Sequence, residues 1–168
     1  YDQVNAFIFT TSMRDAALEM LDLSTTDHVL DVGCGTGFGT AGLLRYTEHV
    51  YGLDQSPHQL AKARKRLSHE DSVRYFFGDA ERLPFEDDSF DAAWSSGSIE
   101  YWPNPVEGLR EMRRVVKPGG TVVVVGPNEP NSEFWARVAD AIMLFYDEEE
   151  AQRMFREAGY DDISHTAV

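Results

Sequence analysis

The amino-acid sequence predicts an α/β fold, a doubly wound and mostly parallel sheet, and two observations carry that expectation. Short apolar runs rich in β-formers alternate five times with helical patterns between residues 28 and 125, the order that builds a parallel sheet with helices on both faces. The first run, Val29-Leu30-Asp31-Val32, leads into the turn Gly33-Cys34-Gly35-Thr36-Gly37. Glycines there let the backbone adopt positive φ and approach a nucleotide-type ligand at the start of a helix.

Taken in order, apolar residues at helical spacing (Phe9, Met13, Ala16, Ala17, Met20, Leu21) predict an opening helix. The first strand falls at residues 28–32 and a helix follows near 37–46, carrying Ala41, Leu43 and Leu44. Strand Val50–Leu53 comes next, then a helix from Pro57 to Leu67 with Ser56 as N-cap and Pro57 in its first turn. Val73–Phe77 and Phe90–Ser95 read as strands three and four. Val106–Val116 reads as a helix stopped by Pro118-Gly119-Gly120, before a fifth strand at Thr121–Val125. Past Gly126 come a polar loop, a helical stretch with Phe134, Trp135, Val138, Ile142 and Phe145, and a helix from Glu148 to Ala158. Asp162–Thr166 is a candidate sixth strand. The run Asp147-Glu148-Glu149-Glu150 fits a solvated helix N-terminus, where acids favour the dipole.

The 168 residues are expected to form one domain, 1–168. A single cysteine, Cys34, gives no internal disulfide, which fits a reducing, cytoplasmic setting. No apolar run reaches membrane-spanning length and no signal-peptide pattern opens the chain. Tyr1 stands where a natural start would have Met, so the N-terminus is expected to be incomplete. Acid outnumbers base 29 to 15, for a net charge of −14, and such a field repels nucleic-acid phosphate. Lysine occurs only at 62, 65 and 117; an acid-rich, lysine-poor surface suits a protein from a salt-rich source, where self-repulsion is screened.

The glycine turn does not fit a dinucleotide. Counted from Gly33, the G-x-G-x-x-G pattern fails at Phe38, and the match from Gly37 to Gly42 lies inside the expected helix. No G-K-[ST] ending marks a phosphate-cradling loop. Asp31 is expected to carry its charge beside the ligand, with no Lys or Arg in residues 28–44 to offset it. That disfavours pyrophosphate and favours a cation. S-adenosylmethionine, which has an ammonium, a sulfonium and no phosphate, suits such a site.

Leu30-Asp31-Val32-Gly33-Cys34-Gly35-Thr36-Gly37 resembles the first motif of class I S-adenosylmethionine-dependent methyltransferases, which have a Rossmann-like sheet. Asp54, 21 residues after Gly33, ends the second strand where a carboxylate can accept from both ribose hydroxyls. Gly78-Asp79-Ala80, Phe90-Asp91-Ala92-Ala93-Trp94-Ser95-Ser96 and the segment Leu109–Gly120 follow the family's later landmarks in order. Taken singly, Asp54 can be a strand-end cap and Asp79 a turn residue; their joint order favours a cofactor site. The resemblance implies S-adenosylmethionine binding by Asp31, Gly33, Cys34, Gly35, Gly37, Asp54, Gln55, Asp79, Ala80, Ser95 and Ser96, and it implies no metal. Cys34 itself reads as a space-filler, since no basic neighbour in sequence lowers its pKa. The family's last, antiparallel strand has no counterpart before Val168, so the sequence is expected to lack it.

Leu53–Ala63, Gly97–Pro103 and Met143-Leu144-Phe145 resemble a narrower group, the 2-methyl-6-phytyl-benzoquinol methyltransferases. That implies C-methylation of a prenylated benzoquinol or naphthoquinol. Glu100 is the candidate general base, and Tyr101 and Trp102 are candidates to stack on the quinol ring and face the sulfonium. The blander reading makes Glu100 a loop acid and Tyr101-Trp102 a hydrophobic plug. Phe7, Ile8, Phe9, Met13, Phe134, Trp135, Met143 and Phe145 are expected to cover a lipid tail or to pack in the core, and a lid of that kind implies peripheral membrane contact. An O- or N-methyltransferase and a non-catalytic S-adenosylmethionine-binding protein are the rival readings. A nucleic-acid base methyltransferase lacks its [DN]-P-P-[YF] motif, because Ser95-Ser96-Gly97-Ser98 stands there.

Overall fold

The computed structural model describes residues 10–126 and 147–166. Helix α1 spans Thr11–Glu19, and Thr10 caps it by accepting from the Met13 amide. Strand β1 (His28–Val32), helix α2 (Phe38–Leu43), strand β2 (His49–Asp54), helix α3 (Pro57–Arg66) and strand β3 (Val73–Phe77) follow. Strand β4 (Phe90–Ser96), a 3₁₀ turn at Ile99–Tyr101, helix α4 (Pro105–Val115), strand β5 (Val116–Val125) and helix α5 (Glu148–Glu157) complete the described elements.

The five strands pair in parallel in the order β3-β2-β1-β4-β5. The chain therefore winds outward from β1 in one direction, returns, and winds outward in the other. That reversal opens a crevice between the C-terminal ends of β1 and β4, where ligands of such sheets bind. Alternation along the strands supplies the two faces. Leu30, Val32, Leu53, Phe90 and Ala93 pack with Leu109, Met112 and Val115 of α4 and Met154 of α5. Val29, Val50, Ala92, Trp94 and Val123 pack with Ala17, Leu18 and Leu21 of the α1 segment and Leu43 of α2.

Three expectations shift. The inward face of α1 is Arg14, Ala17 and Leu18, while Ala16 and Met20 are exposed and Met13 is half-buried. Arg14 turns inward because Gly42 leaves room for it and because it donates to the Phe38 carbonyl at 3.1 Å with its guanidinium 4.7 Å from the Phe38 ring centre. Pro118-Gly119-Gly120 forms a bulge within β5 rather than a turn before it. Val116 already pairs with Phe90 and Thr121 with Ala92, so the strand must accommodate extra residues, and Gly119 at φ 83° absorbs the bend. Residues 162–166 form no strand. Of the expected lid, Phe7, Ile8, Phe9, Phe134, Trp135, Met143 and Phe145 lie outside the described residues. No helix among the described residues is long and apolar enough to cross a membrane.

Candidate functional site

A cavity of about 830 Å³ opens at the C-terminal ends of β1, β2 and β4. Its floor is the glycine turn. Gly33, Gly35 and Gly37 all sit at positive φ (71°, 54° and 84°), conformations that a side chain resists. Gly33 has a second constraint: a Cβ there would collide with the Ser98 hydroxyl. The turn is tied down by its own amides. Gly33 and Cys34 both donate to the Leu53 carbonyl, at 2.8 and 2.9 Å, Gly37 donates to the Cys34 carbonyl at 2.9 Å, and Gly35 donates to Asp54 Oδ2 at 2.8 Å. The amides of Gly33, Cys34, Gly35 and Gly37 are thereby engaged within the protein.

Asp54 ends β2 in the cavity wall. It accepts from the Gly35 amide on one oxygen and from the Ser56 amide on the other, at 2.8 Å each. A carboxylate has about four acceptor positions, so each Asp54 oxygen keeps capacity for a ligand hydroxyl. The two amides hold it rigidly between the glycine turn and the capped start of α3. Gln55 and Ser56 line the wall beside it. Gly78, Asp79 and Ala80, past the end of β3, close that side, and Asp79 is set by accepting from the Glu81 amide at 3.0 Å.

On the β4 side, Ser96, Gly97 and Ser98 line the cavity, and Tyr101, Trp102 and Pro103 form its far wall. Trp102 is also a core residue, 7 % exposed, with its ring stacked closely enough on Gly108 that no larger residue fits there. Cys34 lines the floor with its thiol against Gly52. Burial pushes that thiol far above the usual range, as expected of a space-filler rather than a nucleophile.

Of the residues singled out from sequence, Gly33, Cys34, Gly35, Asp54, Gln55, Asp79, Ala80, Ser96, Tyr101 and Trp102 come together around this cavity. Asp31, Gly37, Ser95 and Glu100 stand behind its lining. Asp31 is the instructive case. Along β1 it shares a face with Val29 and pairs with Trp94 of β4, so its carboxylate points into the α1–α2 layer, where it accepts from Thr40 Oγ1 at 2.6 Å. Burial, reinforced by the charge of Asp54, raises its pKa to about 7 against the pull of Thr40. Asp31 therefore braces α2 from behind the cavity lining, next to Gly39. Gly37 instead packs toward Ala63 and Tyr75 beneath α3. Ser95 is fully buried and bonds the Ser98 hydroxyl at 3.0 Å.

Glu100 is 6 % exposed, and both carboxylate oxygens are sealed from solvent with no hydrogen-bond partner. Burial raises its pKa. Tyr101 and Trp102 line the wall while Glu100 lies behind it, so a general-base role for Glu100 would require its side chain to reach the cavity. Two features escaped the sequence reading. Ser98 locks Gly33 against β4, a contact across 65 residues that no local pattern announces. Lys62, Lys65 and Arg66 of α3 reach the cavity mouth, so the glycine turn is not remote from positive charge, as residues 28–44 alone suggested; the helical spacing of 62, 65 and 66 with Gln59 was the available signal.

Comparison with known proteins agrees with this geometry. A family described as "Methyltransferase domain" matches residues 30–124. The rice protein "2-methyl-6-phytyl-1,4-hydroquinone methyltransferase 1, chloroplastic" is 47 % identical over 97 % of this chain and 50 % of its own length. The demethylmenaquinone methyltransferase of Clavibacter sepedonicus is 30 % identical over 98 % of this chain and 79 % of its own. Among solved structures, Haemonchus contortus phosphoethanolamine N-methyltransferase 2 in complex with S-adenosyl-L-methionine superposes with a TM-score of 0.77 at 25 % identity, covering 96 % of this chain and 40 % of that one. The chain spans about half the length of the plant relatives it matches. Because the match runs from within β1 to the end of β5 and so contains the whole sheet and its crevice, the chain belongs to the methyltransferase domain family.

Proposed function

We propose that the cavity binds S-adenosylmethionine and that the protein methylates a ring carbon of a prenylated benzoquinol or naphthoquinol. The observation that carries the cofactor assignment is Asp54, a carboxylate fixed by two amides with acceptor capacity left facing the cavity, beside a glycine turn whose amides are already engaged. That pairing fits ribose hydroxyls on a nucleoside without phosphates. The cofactor, when bound, supplies an electrophilic methyl on a sulfonium. Asp54 would hold its ribose, Asp79 would accept from the adenine amino group, the Ala80 amide would serve a ring nitrogen, and the open space beside the Gly35 Cα would let the ligand lie against the floor.

The acceptor is assigned from the relatives, two of which carry hydroquinone or demethylmenaquinone methyltransferase in their names, and from the aromatic wall. Tyr101 and Trp102 offer a flat apolar surface to a quinol ring and an electron-rich face to a sulfonium. What these residues contribute is alignment, worth roughly 7–11 kcal/mol in the most favourable intramolecular cases. The ring carbon's nucleophilicity comes from the quinol ionised at a hydroxyl, its proton passing to solvent, or to Glu100 if that side chain reaches the cavity.

The test is incubation with methyl-labelled S-adenosylmethionine and a panel of reduced prenylquinols, followed by mass spectrometry of the products. Label on a ring carbon is the expected result. Label on oxygen or nitrogen, or tight cofactor binding with no transfer to any quinol, would overturn the acceptor assignment.

A further inference from the structure

We propose that the basic face of α3 docks the mouth of the cavity onto an anionic lipid surface; this rests on the prenylquinol reading, since such an acceptor resides in lipid. The chain carries a net charge of −14, and six of its described cations are neutralised locally. Arg14, Arg45, Arg110, Arg114, Lys117 and Arg153 each hold a carboxylate. On α3 the pattern reverses. Lys62, Arg64, Lys65 and Arg66 are all exposed, and among the described residues none of them pairs with an acid. Arg64 reaches the Tyr75 carbonyl and ring, and Arg66 the Thr36 hydroxyl.

Position gives the cluster meaning. Lys62, Lys65 and Arg66 line the same cavity whose opposite wall is Tyr101 and Trp102. Two large apolar or amphipathic side chains stand exposed beside that mouth: Phe77, 66 % exposed, adjoins the lining residue Gly78, and Tyr101 is 44 % exposed. Lys62, Lys65 and Arg66 lie at i, i+3 and i+4 on one face of the helix, with Arg64 beside them in sequence, so the positive charge is concentrated at the mouth. A row of four basic residues on one helix is within the range that binds anionic membranes. An apolar residue next to them fits the boundary between headgroup and acyl chain. Docked this way, a prenylated ring passes from the bilayer into the cavity without its tail crossing water.

The experiment is cosedimentation with vesicles containing no quinol, comparing pure phosphatidylcholine with phosphatidylcholine carrying about a third phosphatidylglycerol, a strongly anionic surface. The protein should bind the anionic vesicles alone and release as salt shortens the Debye length. Each basic residue near such a surface contributes roughly fivefold, so K62Q/K65Q/R66Q should lower the partition coefficient about 100-fold. R153Q/R156Q, which removes two cations from α5, should keep anionic selectivity. If the triple variant unfolds early, K65Q alone should still show the roughly fivefold loss. Failure of the unsubstituted protein to bind anionic vesicles, equal binding to both vesicles, or undiminished binding by the α3 variants would overturn the proposal. Methyl transfer to a short-tailed, water-soluble quinol is read separately: transfer without vesicle binding removes only the docking, and vesicle binding without transfer removes only the reaction.

Discussion

Replacing Asp31 with asparagine should raise stability relative to the unsubstituted protein progressively as pH goes from mild acid to mild alkali. The carboxyl is 1 % exposed, and burial lifts its pKa from 3.8 to about 7. A carboxyl whose folded-state pKa lies above its unfolded value binds a proton preferentially in the native state between the two values. Its contribution is therefore most favourable below about pH 4, is lost as pH rises, and is fully lost above about pH 7. From 3.8 to about 7, at 1.36 kcal/mol per pH unit, this amounts to about 4 kcal/mol, of which about 3 kcal/mol falls between pH 5 and pH 8.5. The substituted amide would carry no charge at any pH and would keep one oxygen for the Thr40 hydroxyl. It also brings an amide donor into the layer that holds Trp94 Nε1, itself a buried donor without a partner, at a cost of about 1–3 kcal/mol. Urea denaturation of both proteins at about pH 5 and about pH 8.5 measures the difference. The predicted outcome is a stability difference that moves by about 3 kcal/mol in favour of D31N between the lower and the higher pH. A stability difference that is the same at both would refute a titrating, buried Asp31.

Gly33→Ala should lower stability by about 2–5 kcal/mol, combining left-handed strain with overpacking against Ser98; G33A/S98G should recover only the packing share, which thermal unfolding of the single and double variants resolves. E100Q should leave the maximal rate close to that of the unsubstituted enzyme, because its oxygens do not reach the cavity. Loss of a working general base would lower the rate by about 10²–10⁴, so steady-state kinetics of E100Q decides whether the acid leaves its buried seat during turnover. Arg114→Met should cost about 2–4 kcal/mol in urea unfolding, since its guanidinium holds Glu111, Asp87 and the Leu83 and Phe85 carbonyls. A loss below about half a kilocalorie would reduce that network to surface pairs.

The strands were legible because their apolar runs are short and bounded by turn residues, and because parallel pairing buries them on both faces. Asp54 was legible as the last residue of β2, the strand paired beside β1 and its glycine turn. Asp31 adjoins the glycine turn in sequence, yet its carboxylate lies behind the cavity lining, on Thr40. The alternation of β1, with Val29 inward toward α1 and α2, already sent its side chain to that layer. The burial of Glu100 was not legible, for a different reason. A three-residue turn between Ser98 and Trp102 has no sequence periodicity, and its orientation is set by Trp102 seated on Gly108, a contact made only in the folded chain. The α3 cations carried a helical spacing that could have been read, but their significance depends on α3 crossing to the mouth of the cavity.

The most direct test of the account is calorimetric titration of S-adenosylhomocysteine, with NAD as comparison, into the unsubstituted protein and into D54A. One site for S-adenosylhomocysteine, no heat with NAD, and an affinity lowered about 30- to 100-fold in D54A, as expected for loss of hydrogen bonds to a charged group, is the predicted result. Binding of NAD at the same site, or an affinity for S-adenosylhomocysteine that D54A leaves unchanged, would contradict a nucleoside site anchored on Asp54.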